Sequence, residues 1–155
     1  MYRKALMVAA CALAAAGCSS NHYPAYPDGW TVSHVGGETD YALLDEVLFP
    51  NDSADLSPRA YDIVAQIADD AQAHPNRPIE VDGYTDTTGT PDHNQILSQQ
   101  RADAVADILV RHGIDRKRIL TRGLGETNLA IPTGDNVSEH RNRRVVIRLL
   151  APPPH

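Results

Sequence analysis

The chain has 155 residues, with 14 Lys and Arg against 20 Asp and Glu, and a formal net charge of −6 at neutral pH. This acidic balance argues against a nucleic-acid partner, which needs a basic surface. Seven histidines without metal-ligand spacing predict no metal site, and no motif indicates a cofactor. The length suits one domain of about 110 residues after a signal and a tether are subtracted.

Residues 1–17 have the form of a signal peptide. Arg3 and Lys4 precede the mostly apolar run 5–17, which is too short to span a bilayer core of about 30 Å. The string Ala15-Ala16-Gly17 before Cys18 resembles a bacterial lipobox and predicts lipidation of Cys18, with ordinary secretion as the alternative. Cys11 follows a similar string, but its apolar run is shorter than usual. Ser19, by resemblance to sorted lipoproteins, favours lipid anchoring in the outer membrane, facing the periplasm.

Residues 18–41 are predicted to be the acylated cysteine and a flexible tether. Prolines and glycines interrupt a few isolated aromatic residues here, and no hydrophobic period is visible. A coil of about 22 residues would have an end-to-end distance of roughly 25 Å, or at most about 75 Å when extended. The proline-rich residues 151–155 are expected to be a disordered tail.

Residues 42–150 are predicted to be one folded domain of alternating strands and helices. A first strand is expected over 43–49, and a helix begins after Ser57, an N-cap followed by proline. A second strand is expected over 79–83, a second helix from the Thr90 cap to about residue 112, and further strands over 118–123 and 144–150. This alternation predicts an α/β (α+β) two-layer sandwich, in which a four-stranded sheet packs against two main helices.

The second helix places polar side chains within its apolar stripe. Asn94, Ser98 and Arg101 lie among Leu97, Ala102, Val105, Ile108 and Leu109. An unpaired guanidinium there would cost several kcal/mol, so Arg101 needs an anionic partner from the protein or from a ligand. Asp86 is the nearest candidate, because it follows the second strand at the end of the sheet where ligands bind in open α/β folds. An internal Asp86–Arg101 ion pair and a ligand site both fit.

The same stretch resembles the signature of the OmpA-like peptidoglycan-binding domain family, over about residues 42 to 150. The motifs that carry the resemblance are Val81-Asp82-Gly83-Tyr84-Thr85-Asp86, Gly89, Asn94, Leu97-Ser98, Arg101-Ala102, Val105, Gly113-Ile114, Arg118-Ile119, Gly123-Leu124-Gly125-Glu126 and Asn142-Arg143-Arg144-Val145. The family's fold has a mixed sheet. With the lipobox, the chain resembles the peptidoglycan-associated lipoproteins of that family.

The resemblance implies a non-catalytic module that binds the diaminopimelate of the peptidoglycan stem peptide and tethers the outer membrane to the cell wall. Diaminopimelate can present an ammonium and a carboxylate on one carbon. By motif, Asp86 would accept the ammonium, and Arg101 would bind the carboxylate in a bidentate geometry. Neutral hydrogen bonds and the border of the site would come from Asn94, Thr85, Asn142 and Arg143.

Two other functions remain open. The domain could chiefly dock another envelope protein, with secondary wall binding. It could also be a hydrolase that uses Asp86, Ser98 and either His93 or His140. The hydrolase is disfavoured because Ser98 lies inside a predicted helix, without the strained turn that exposes a nucleophile.

Overall fold

The computed structural model describes residues 28–49 and 56–154. The elements in chain order are β1 (Trp30–Val35), β2 (Glu38–Leu44), α1 (Asp45–Leu48), α2 (Pro58–Ala73), β3 (Ile79–Tyr84), α3 (Pro91–Arg111), a 3-10 turn (Arg116–Arg118), β4 (Ile119–Gly123) and β5 (Arg144–Leu149).

The strands form one mixed sheet in the order β1-β2-β5-β3-β4. Neighbouring strands are antiparallel except β3 and β4, which are parallel. One apolar core joins the sheet to α2 and α3, and Leu43, Val81 and Ile147 are fully buried in it. The structure confirms the predicted two-layer α/β sandwich and its mixed sheet, but the sheet has five strands instead of four.

Both main helices begin where the sequence predicts. The Ser57 hydroxyl accepts a hydrogen bond of 2.9 Å from the Ala60 N–H, and Pro58 occupies the first helical position of α2. Thr90 caps α3 in the same way through the His93 N–H at 3.3 Å. Gly113 follows α3 with φ +90°, the left-handed conformation that favours glycine at a helix end.

The additional strand comes from the range that the sequence assigned to the tether. Gly36 and Gly37 have φ of +59° and +85°, which makes them the two-residue turn of a hairpin that pairs Val35 with Glu38. Along β2, Thr39, Tyr41 and Leu43 are buried and alternate with more exposed residues. The glycines are therefore a turn within the fold, and the sheet begins at Trp30, not at residue 42.

The predicted first strand over 43–49 is also wrong in its position. Strand β2 ends at Leu44, and Asp45 begins the single helical turn α1. The backbone explains the change, because the Asp45 N–H donates to the Arg143 carbonyl at 2.9 Å and the Phe49 N–H donates to the Asp45 carbonyl at 2.6 Å. Asp45 therefore lies at the carboxyl end of β2, where it is 6% exposed.

The predicted signal peptide, Cys18 and the first part of the tether lie outside the described residues, as does His155. Residues 151–154 of the predicted tail are exposed and have no regular secondary structure. Within the described part of the chain, no helix has the length and apolar character needed to cross a membrane.

Candidate functional site

A cavity of about 310 Å³ opens at the carboxyl end of β3, beside the N-terminal half of α3. This volume lies within the range of small-molecule sites in proteins, about 300–1,000 Å³. The described residues that line it are Thr85, Asp86, Thr88, Gly89, His93, Asn94, Leu97, Arg101 and Arg143. Five of the six predicted wall-binding residues are therefore brought together at one place.

Close packing of α3 on the sheet forms the base of this region. A Cβ atom on Gly83 would lie 2.1 Å from the Ser98 carbonyl oxygen, so only glycine fits there. Ser98 is fully buried, donates to the Gln95 carbonyl at 2.9 Å and accepts from the Gly125 N–H at 2.9 Å. Its hydroxyl thus satisfies backbone groups in a tight contact, which explains a polar residue in the apolar stripe and argues against a nucleophile.

The Asp86 carboxylate is 2% exposed and is surrounded by donors. One oxygen accepts from the Thr88 N–H at 3.0 Å and from the Thr88 hydroxyl. The other accepts from Arg143 Nη1 at 2.7 Å and from the Glu139 N–H at 3.3 Å. Burial by itself would raise the pKa of Asp86, but the hydrogen bonds from Thr88 and Arg143 lower it overall. Asp86 is therefore ionised at neutral pH.

The protein partner of Arg101 is not Asp86, the nearest candidate in the sequence, but Asp45. Its Nη2 lies 2.9 Å from Asp45 Oδ2, and the two side chains are 12% and 8% exposed. The guanidinium also lies over the Phe49 ring, 5.4 Å from its centroid. In place of an Asp86–Arg101 pair the structure has two pairs, Asp45–Arg101 and Asp86–Arg143. The carboxyl ends of β2 and β3 lie level with each other on either side of the first residue of β5, Arg144, which pairs with both Leu44 and Tyr84.

The two neutral residues of the predicted site differ in how well they are satisfied. Asn94 Nδ2 donates to Glu126 Oε2 at 2.7 Å and to the Asp86 carbonyl at 3.3 Å. The Thr85 hydroxyl is buried and has no hydrogen-bond partner among the described residues. A buried polar group left without a partner costs about 1–3 kcal/mol, so a ligand that bonds to this hydroxyl would recover stability.

Asn142 does not line the cavity, contrary to the prediction that it borders the site. It is fully buried, and its amide exchanges two hydrogen bonds with the Ile131 backbone, at 2.8 and 2.9 Å. These two hydrogen bonds, the Asn142 clasp, hold the long loop between β4 and β5 closed and place the next residue, Arg143, against Asp86. Its role is to position the loop.

Three residues that the sequence analysis missed support the site. Asp45 holds Arg101, and the Glu139 N–H contacts Asp86. Thr87 Oγ1 donates to the Gly134 carbonyl at 2.7 Å and accepts from the Val137 N–H at 3.0 Å, which ties the β4–β5 loop to the Asp86 turn. Only Asp45 carries a sequence signal, because a carboxylate shortly after an apolar strand segment is the same pattern that identified Asp86.

The fold and the cavity define a small α/β binding domain with paired charges at one end of its sheet. Residues 48–143 match the OmpA family, and this chain belongs to that family. Over 150 residues it is 33% identical to the peptidoglycan-associated lipoprotein of Haemophilus influenzae, covering 93% of this chain and 95% of that protein.

Two further similarities agree with this assignment. The chain is 37% identical over 121 residues to the probable lipoprotein YiaD of Escherichia coli, covering 78% of this chain but only 55% of that protein. The crystal structure of the peptidoglycan-associated lipoprotein from Burkholderia pseudomallei superposes with a TM-score of 0.58 at 31% identity, covering 65% of this chain and 86% of that one. The chain thus spans about half the length of YiaD.

Proposed function

We propose that this chain is a non-catalytic, lipid-anchored module that binds peptidoglycan through the diaminopimelate of its stem peptide and ties the outer membrane to the cell wall. The observation that carries the proposal is the cavity, where Asp86, Arg101 and the unpartnered Thr85 hydroxyl converge. Membership of the OmpA family supports it, as do the names of two relatives, both peptidoglycan-associated lipoproteins.

A ligand group that carries both an ammonium and a carboxylate fits the two Asp–Arg pairs of the cavity. Each cavity arginine is already paired with a carboxylate, so the protein groups of the site carry little net charge. A ligand with one ammonium and one carboxylate keeps that balance, whereas a simple anion or cation would disturb it. Charge balance therefore favours a group with one ammonium and one carboxylate over a single ion.

The ammonium needs a place on Asp86. An ionised carboxylate accepts about four hydrogen bonds, and Asp86 already accepts four. Thr88 belongs to the exposed rim of the cavity, so its hydroxyl is the donor that can rotate into water at the lowest cost. We expect the ligand ammonium to take the place of the Thr88 hydroxyl on Asp86.

The carboxylate of the ligand would bind Arg101. Asp45 contacts the guanidinium at Nη2, and the planar group carries further N–H donors that can form two parallel bonds to a carboxylate. Asp45 then acts as a positioning residue that fixes the orientation of the Arg101 guanidinium. Thr85 and Asn94 would complete the site with neutral hydrogen bonds, and Arg143 would form its border.

The anchor is proposed to be lipid on Cys18. The lipobox-like string and the relatives named lipoproteins support this assignment. Ten peptide units join Cys18 to Asp28, and they can span at most about 35 Å when fully extended. The hairpin β1–β2 thus shortens the distance that the tether can span, compared with the distance that the sequence alone implied.

Replacing Cys18 with Ala should abolish lipid labelling, whereas Cys11→Ala should leave lipid labelling unchanged. A requirement for Cys11 alone would contradict the assignment.

Sedimentation of the full chain with purified sacculi tests wall binding. We expect the protein to pellet with sacculi and free diaminopimelate to release it. Failure to pellet would contradict wall binding and favour docking to an envelope protein. Pelleting that free diaminopimelate does not reverse would contradict the ligand while retaining the wall as the partner.

A further inference from the structure

The cavity has a buried floor and an exposed mouth. The floor consists of the buried Thr85, Asp86 and Asn94 and the mostly buried Arg101. At the mouth lie Thr88, Gly89 and His93, which are all exposed. A ligand with its zwitterionic end on the floor must leave through the mouth, so the residues there contact the next part of the ligand.

His93 is fixed at this mouth by the backbone. It lies in the first turn of α3, where its N–H donates to the Thr90 hydroxyl at 3.3 Å. Gly89, with φ +87°, turns the preceding loop under the imidazole, and a Cβ atom there would lie 3.8 Å from His93 Cδ2. Within the described part of the chain the imidazole itself has no hydrogen bond or ion pair, so it is available to a ligand.

Histidine is the side chain type whose charge ordinarily changes between pH 5 and 8. The charged groups on the surrounding elements are Asp45 of α1, Asp86 after β3, Asp92 and Arg101 of α3, and Glu126, Glu139, Arg141 and Arg143 of the β4–β5 loop. A second histidine, His140, lies outside the cavity lining, with its Nδ1 3.3 Å from Glu139 Oε1.

We propose that His93 is a specificity-determining residue, which binds a second carboxylate of the wall peptide, adjacent to the zwitterion, and strengthens that contact when protonated. The inference rests on the proposed function. Three features favour an anion at this position. An imidazolium donates a charge-assisted hydrogen bond, and the N-terminus of a 21-residue helix carries a positive partial charge. Three of the carboxylates nearby, those of Asp45, Asp86 and Glu139, are already paired with arginines.

Calorimetric titration of the full chain at pH 7.5 and pH 5.5 tests this role. The probes are two tripeptides that end in diaminopimelate, one with a free carboxylate on the residue before it and one with that carboxylate amidated. We expect the free peptide to bind about two- to five-fold more tightly at pH 5.5, the range of an exposed ion pair. The amidated peptide should bind equally at both pH values. His93→Gln should remove the difference, and the matched variant His140→Gln should retain it.

The outcomes separate the two proposals. Binding of the free peptide that is independent of pH, or a pH effect that His93→Gln retains, would overturn the role of His93 and leave the proposed ligand intact. A pH effect of equal size on the amidated peptide would also overturn it. Absence of binding by both peptides at both pH values would overturn the proposed function itself.

Discussion

Arg101 Nη2 lies 2.9 Å from Asp45 Oδ2, so a carboxylate at the end of β2 holds the guanidinium at the cavity floor. Both side chains are at least 88% buried, which separates this contact from a surface ion pair. Removing one partner of a buried pair leaves an uncompensated charge, and this typically costs about 3–5 kcal/mol. The Asp45–Arg101 pair is therefore both a structural element and part of the candidate site.

Asp45→Asn should accordingly lower the free energy of unfolding by about 3 kcal/mol, measured by urea denaturation of the full chain. The matched control is Asp40→Asn on the other face of the sheet. Asp40 pairs with Arg148 at 2.9 Å but is 35% exposed, so its loss should cost under about 1 kcal/mol. Equal losses in the two variants would show that the buried pair has no special energetic role.

Arg101→Lys tests the geometry of recognition. Lysine keeps the positive charge that Asp45 needs but cannot form two parallel bonds to a carboxylate. We expect a folded protein whose affinity for sacculi falls by at least about ten-fold, because a charge-assisted bond is worth about 1.5–3 kcal/mol. Circular dichroism checks the fold and sedimentation measures binding. A folded variant that pellets as wild type does would contradict the assignment of Arg101.

The sequence predicted the location of the site better than its internal pairing. The apolar stripe of α3 and the position of Asp86 after β3 were enough to bring Asp86, Asn94 and Arg101 to one cavity. The Arg101 partner was missed because Asp45 was assigned to the middle of a strand, where an acidic residue would face solvent. A backbone contact decides that boundary, since the Asp45 N–H bonds to the Arg143 carbonyl, 98 residues later in the chain.

The hairpin and the Asn142 clasp were missed for a related reason. Gly36-Gly37 was interpreted as a break in the chain, although two glycines with positive φ also form the tightest hairpin turn. Asn142 adjoins Arg143 in the sequence, and spacing alone cannot show that one side chain enters the cavity and the other bonds to Ile131. Long-range backbone contacts decide both points.

Thr87 and Thr88 are adjacent residues with opposite expected effects. Thr88→Ala removes the hydroxyl that competes with a ligand ammonium on Asp86, so wall binding should be retained or increased. Thr87→Ala removes the bonds to Gly134 and Val137 and should cost about 1–3 kcal/mol of stability, with weaker binding as the loop loosens. Denaturation and sedimentation of the two variants measure this contrast. A larger loss of binding in Thr88→Ala would show that its hydroxyl contacts the ligand.

The stability of the domain should fall at acid pH as the carboxyl groups of Glu139 and Asp86 are protonated. Arg141 donates from its side chain and backbone to Glu139 and lowers the pKa of that carboxyl from 4.5 to about 2, while Asp86 also titrates below its ordinary value of 3.8. A carboxyl with a lowered pKa in the folded state contributes stability that is fully present above its unfolded pKa and is lost as the pH falls through the folded pKa. We therefore expect the free energy of unfolding to decline from about pH 4.5 to pH 2, measured by urea denaturation across that range. Glu139→Gln should flatten this decline, because its amide does not titrate. A decline of equal steepness in Glu139→Gln and wild type would show that the Glu139–Arg141 contact does not couple folding to pH.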